Sequence, residues 1–144
     1  MKKRHAIIPA SYLLLIDNEK ILLQRRFNTS YEDGKYSFIA GHVEKGETFS
    51  HAIIREAKEE AGIKIKEEDL QIFHIMHRKE KNSERIDAFF TASKWEGEIQ
   101  NKEPHKCDDL SWFEMNNLPQ DMIPYIKEAF ERINSKEFFG EYGF

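Results

Sequence analysis

The run REAKEEAG, residues 55–62, places Glu56, Glu59 and Glu60 at spacings of three and four. On a helix, at about 100° per residue, their carboxylates share one sector, where like charges repel by about a few tenths of a kcal/mol per pair. Taken alone, such a run reads as a solvated acidic face. Its surroundings point to a metal instead. Gly41 and Gly46 lie in the preceding GHVEKGE, where bare backbone can approach a ligand closely, and Gly62 gives the helix a sharp stop. Hard cations such as Mg2+ take oxygen ligands from carboxylates and carbonyls together with substrate phosphates, so a cation here turns repulsion into binding. Glu47 sits just ahead of the helix, where the helix dipole favours an anion. Arg55 stands four residues before Glu59 and offsets part of the repulsion.

A helix, a loop and a sheet must hold these groups. Thr48 or Ser50 caps a helix running to about Ala61, with Ala52, Ile53 and Ala57 as its buried stripe. Upstream, residues 11–16 and 20–25 are apolar runs joined by Asp17-Asn18-Glu19, a hairpin pattern. RRFNTSYEDGKY follows as a surface loop carrying Arg25 and Arg26, and 36–40 form a short strand stopped by Gly41. Downstream, 70–77 and 86–93 read as strands separated by the charged loop RKEKNSER, with 109–113 as a last strand. Pro124 then opens an amphipathic helix through PYIKEAFERINSKEFF. With no linker or repeat, the expectation is a single domain over 1–144 of the α/β (α+β) class, a central mixed sheet with helices packed on it.

Composition narrows the class of function. Of 144 residues, 40% are hydrophobic and 33% charged, the balance of a soluble globular chain. A net charge of -4 argues against duplex nucleic acid as a partner, because tight duplex binding needs a basic surface. No run approaches the roughly 20 apolar residues of a membrane span. The basic start MKKRH precedes an apolar stretch broken by Pro9, Ser11 and Tyr12, which reads as strand rather than leader. The one cysteine, Cys107, cannot form an internal disulfide, in keeping with a reducing cytoplasm.

Residues 41–63, GHVEKGETFSHAIIREAKEEAGI, resemble the Nudix box, G-x5-E-x7-R-E-U-x-E-E-x-G-U with U aliphatic. Gly41, Glu47, Arg55, Glu56, Ala57, Glu59, Glu60, Gly62 and Ile63 occupy its defined positions, Ala57 being small for an aliphatic one. The resemblance implies a Nudix-type αβα sandwich and hydrolysis of a diphosphate bond in a nucleoside diphosphate derivative with Mg2+ or Mn2+. It assigns the metal to Glu56, Glu59, Glu60 and the Gly41 carbonyl, and makes Glu47 and Arg55 the pair fixing loop to helix. Glu56 is one candidate general base. KWEGEIQNKEP is similar to a MutT-like segment that carries a distal glutamate, which puts Glu103 in that second place as base or metal ligand, with Glu96, Glu98 and Asp108 as fallbacks.

A (deoxy)nucleoside triphosphate is the leading substrate in this reading. ADP-ribose or a nucleotide sugar, a dinucleoside polyphosphate and a triphosphorylated RNA end are its rivals, and a non-catalytic nucleotide-binding domain is the alternative outside enzymology. The chain carries Ile39-Ala40-Gly41 where many members have Pro-Gly-Gly, which leaves the substrate open. Arg25 and Arg26, at a strand end, are candidate substrate contacts. Arg78, Lys79, Lys81 and Arg85 read as a solvated loop that would steer polyphosphates. His42 and His51 fall at undefined box positions and read as surface or supporting residues. Cys107 reads as a small filler, and the tail FFGEYGF as packing rather than a dimer contact or a base stack. Monomer and homodimer are both compatible with the sequence.

Overall fold

The computed structural model describes residues 2–144. Strand β1 (Ile8–Asp17) turns into β2 (Lys20–Arg26) through Asn18 and Glu19, at φ of 49° and 62°. A two-residue turn with both central residues left-handed follows the twist of its strands and sets Asp17 opposite Lys20. The chain continues through β3 (Tyr36–Ser37), β4 (Ile39–His42), α1 (Phe49–Ala61) and a 3-10 turn (Glu67–Asp69). Then come β5 (Gln71–Glu80), β6 (Ser83–Ala92), β7 (Cys107–Glu114), α2 (Pro124–Glu131) and β8 (Phe139–Tyr142).

The sheet order is β3-β2-β1-β6-β5-β8, with β4 also on β1 and β7 on β2. β1–β6 and β5–β8 are parallel and the remaining pairs antiparallel, so the sheet is mixed. β1 is buried on both faces, which is why LLLI is unbroken rather than alternating. Tyr12 and Leu14 pack with Ile126 and Ala129 of α2, while Leu13 and Leu15 pack with Ile53, Ala57 and Ala61 of α1. Helices on both faces make the αβα sandwich.

Two expectations are corrected. RKEKNSER is not a solvated loop: β5 and β6 run on through Glu80 and from Ser83, leaving Lys81 and Asn82 as the turn. Arg78 there is only 2% exposed, because Asp87 and Tyr125 on neighbouring elements compensate its charge. The second helix is also shorter than its amphipathic pattern suggested. It stops at Glu131, turns occupy 132–136, and the tail adds β8 in parallel to β5. Tyr142 packs on the core, but Phe138, Phe139 and Phe144 are exposed, so packing accounts for only part of the aromatic tail. Among the described residues no helix is long and apolar enough to cross a membrane.

Candidate active site

Helix α1 holds its acids by its two ends. Thr48 caps the first turn, its hydroxyl accepting from His51 N at 3.0 Å, and Gly62 closes the last in the left-handed region at φ 70°. The carbonyls of Glu60 and Ala61, which lack partners within the helix, accept from the Lys102 and Gln100 N–H groups. That pairing docks the 100–103 loop against the end of α1 and delivers Glu103 to the cavity lined by Glu56 and Glu60. The cavity holds about 450 Å³.

Arg55 organises the loop side. Its Nε and Nη2 donate to the two oxygens of Glu47 at 2.8 and 3.0 Å, Nη2 also to the His42 carbonyl at 3.1 Å, and Nη1 to Glu56 Oε1 at 2.6 Å. This fork clamps loop 43–47 to α1. The bonds from Arg55, with a further one from the Glu44 N–H, hold the Glu47 carboxyl down at about 2. Glu59 is 54% exposed, turned toward Arg55 Nη1 at 3.4 Å, and outside the cavity lining.

The carboxylates inside behave oppositely to Glu47. Burial pushes Glu60 up to about 8 against the Gln24 amide, which donates to it at 3.0 Å, and the charges of Glu56 and Glu103 add to the rise. Burial also raises Glu56, opposed by Arg55. Glu103 bears only a distant cation, Lys106 Nζ at 3.9 Å. Of the three carboxylates in this cavity, only Glu56 has a cation within hydrogen-bonding distance among the described residues.

This donor set fits a hard divalent cation. Gly41 lies against Glu56 so closely that a Cβ would overlap the Glu56 carboxyl, so its backbone and the acid meet at one position. Among the described residues no three acidic, histidine or cysteine side chains stand close enough to cage an ion by themselves. Mg2+ sites commonly complete their shell with waters and substrate phosphates, so a few carboxylates and one carbonyl suffice.

The two candidate arginines part company. Arg26 lines the cavity, its Nε donating to the Tyr31 carbonyl at 2.6 Å and its guanidinium lying 5.1 Å from the Tyr31 ring. Arg25 points elsewhere, bonded to Asp108 at 2.7 Å and outside the lining. Asp108 is thereby occupied, and Glu96 pairs by backbone with Lys64, so neither joins the cluster. Sequence reasoning missed Gln24, Tyr12, Glu80 and Tyr125 as cavity residues and misplaced Arg78 and Arg85. A signal existed for some of them: Arg78 and Glu80, like Arg85 and Asp87, alternate at the strand period of two.

A sequence model of the NUDIX domain matches residues 7–133. The chain belongs to the NUDIX domain family. This Nudix domain is 29% identical over 137 residues to the "NAD-capped RNA hydrolase NudC" of Chromobacterium violaceum, a match covering 91% of this chain and 49% of that protein. The chain spans about half the length of the curated relatives it matches. Its fold superposes on the MutT NUDIX hydrolase from Burkholderia pseudomallei with TM-score 0.83 at 22% identity, covering 90% of this chain and all of that one. The MutT protein from Methanosarcina mazei gives 0.77 at 20% identity, covering 92% and 96%.

Proposed function

We propose that this Nudix domain hydrolyses a diphosphate bond in a small nucleoside diphosphate derivative, with a (deoxy)nucleoside triphosphate as the leading substrate and Mg2+ or Mn2+ as cofactor. The observation that carries the reading is the convergence of Glu56, Glu60 and Glu103 with Gly41 in one cavity that also presents Arg26 and Lys106. Acids for a cation and bases for phosphate oxygens lie within a single volume.

Glu56, Glu60 and the Gly41 carbonyl would hold the metal, with Glu59 joining if it turns from Arg55. Bound there, the cation would supply a sink for charge on phosphoryl oxygens and lower the pKa of a coordinated water. Arg26 and Lys106 orient the phosphates. Glu103 is the better-supported general base: Glu56 Oε1 is tied by Arg55, whereas no hydrogen-bond donor among the described residues reaches the Glu103 carboxylate. Arg55 and Glu47 keep α1 and its loop in register.

A second reading, a dinucleotide or RNA 5' end joined through a diphosphate, draws support from relatives named as NAD-capped RNA hydrolases. The test is a screen of nucleoside triphosphates, nucleotide sugars, NAD, dinucleoside polyphosphates and 5'-capped or triphosphorylated RNA with Mg2+, Mn2+ or EDTA. Metal-dependent cleavage, lowered by orders of magnitude in Glu60→Gln, is expected. Full activity of Glu60→Gln in excess Mg2+ would remove the metal-ligand assignment, and no turnover of any compound would overturn the hydrolase reading.

A further inference from the structure

We propose that the cavity wall formed by Glu80, Arg85 and Tyr31 is a recognition site for a planar heteroaromatic edge that carries a hydrogen-bond acceptor beside a donor, as a nucleobase or a ring carboxamide does. This rests on the nucleotide reading above and names which part of the substrate meets which wall.

The wall follows from strand register. Arg78 pairs with Arg85 across β5–β6, and Ala10 and Tyr12 of β1 stand opposite Asp87 and Phe89 of β6. The period of two therefore puts Tyr12, Arg78, Glu80, Arg85 and Asp87 on one face. Every nitrogen of Arg78 has a partner: Nε donates to Asp87 at 2.7 Å, Nη2 to the Tyr12 hydroxyl at 3.3 Å, Nη1 to Glu80, and the guanidinium lies 3.6 Å from the centre of the Tyr125 ring. Two arginines face two acids here, so this end has no net positive charge to draw phosphates. Lys106, 3.9 Å from Glu103, puts the phosphate side with the acids, and Arg26, against Tyr31, stands between the two ends.

What this end retains is hydrogen-bonding capacity. Glu80 accepts from the Tyr31 hydroxyl at 2.6 Å and from Arg78, both on Oε1. No donor among the described residues reaches Oε2 within hydrogen-bonding distance; Arg85 Nε stands 3.6 Å away. Arg85 Nε is buried without an acceptor and out of a ligand's reach, its Nη1 bonds His42 Nε2 at 3.0 Å, and its Nη2, which is not shut off in this way, meets no acceptor among the described residues. A free acceptor thus sits beside a free donor. Arginine only donates and an ionised carboxylate only accepts, so the polarity of the pair is set. A ligand edge with an acceptor facing Arg85 and an N–H facing Glu80 satisfies both, and Tyr31, an exposed residue with Arg26 5.1 Å from its ring centre, offers it an aromatic side chain.

The test needs no metal and no phosphate. Adenosine, guanosine, cytidine, uridine and nicotinamide riboside are titrated separately into the 15N-labelled full chain in EDTA. Amide shifts confined to 78–87 and 27–35 are expected for at least one of them, and which one responds distinguishes a base from a carboxamide. Glu80→Gln, which sets an amide donor beside Arg85, is expected to weaken that binding at least about tenfold and to raise KM for the matching nucleotide more than it lowers kcat. Arg85→Gln, which lengthens no side chain and keeps Glu80, is the second variant should the first not fold. Shifts elsewhere, or unchanged binding in a folded variant while the wild type cleaves nucleotides, would overturn this inference alone. A wild type that cleaves no nucleotide would overturn the reading beneath it.

Discussion

The Glu56 carboxyl occupies the space that a side chain on residue 41 would need. Gly41 is therefore required by a close approach rather than by its backbone angles, and the approach joins β4 to the acidic face of α1. Gly41→Ala must push Glu56 aside. Displacing a reacting-site group by about 1 Å costs on the order of a hundredfold in rate. The expected outcome is a folded protein, by circular dichroism, with kcat reduced by about that factor. Wild-type kcat in Gly41→Ala would show that Glu56 is not needed at this position.

Glu47 links the clamp to pH. Its folded value of about 2 lies below its ordinary 4.5, so the contribution of its pairing with Arg55 to stability is present above about 4.5 and is lost as pH falls through about 2. Thermal unfolding followed between pH 5 and 2 should show Tm falling less steeply in Glu47→Gln than in the wild type. Parallel curves would mean that another carboxylate dominates the acid limb.

Glu103 tests the assignment of the base. Replacing it with Gln keeps the loop contacts made by its backbone to Lys106 and Cys107 while removing the proton acceptor. General-base catalysis is worth about 10²–10⁴-fold, so kcat should fall by that range and the acid limb of the pH–rate profile should flatten. A rate within twofold of wild type would exclude Glu103 as base.

The neighbouring arginines should respond differently. Arg26→Ala removes a cavity cation and is expected to raise KM for the substrate several-fold. Arg25→Ala breaks a surface pair with Asp108, an interaction of about 0–1 kcal/mol, and should leave KM unchanged. Steady-state kinetics on both variants decides the matter, and equal effects would contradict the separation seen in the cavity.

Much of this geometry was legible in the chain because its causes are local. The helix follows from Thr48, Gly62 and a 3.6-residue stripe, and convergence of Glu56 and Glu60 from their spacing on it. Glu47 reaches Arg55 through a loop of few residues. Glu103 was named only through the resemblance of KWEGEIQNKEP to a MutT-like segment, and the contact that brings it in is long-range: it enters the cavity because helix-end carbonyls of Glu60 and Ala61 need donors, which the 100–103 loop supplies. No spacing rule in the chain announces that.

The sequence by itself determined a mixed sheet with helices packed on it, the carboxylate helix and the spacing of the box, since periodicity and caps act within a few residues of their cause, and the αβα sandwich came through the family resemblance. Tertiary structure alone decided which arginine faces the cavity and that RKEKNSER becomes paired strand with Arg78 buried. The physical reason is compensation at a distance. A charge looks solvated in a sequence until Asp87, nine residues on, and Tyr125, on another element, take the place of water around it.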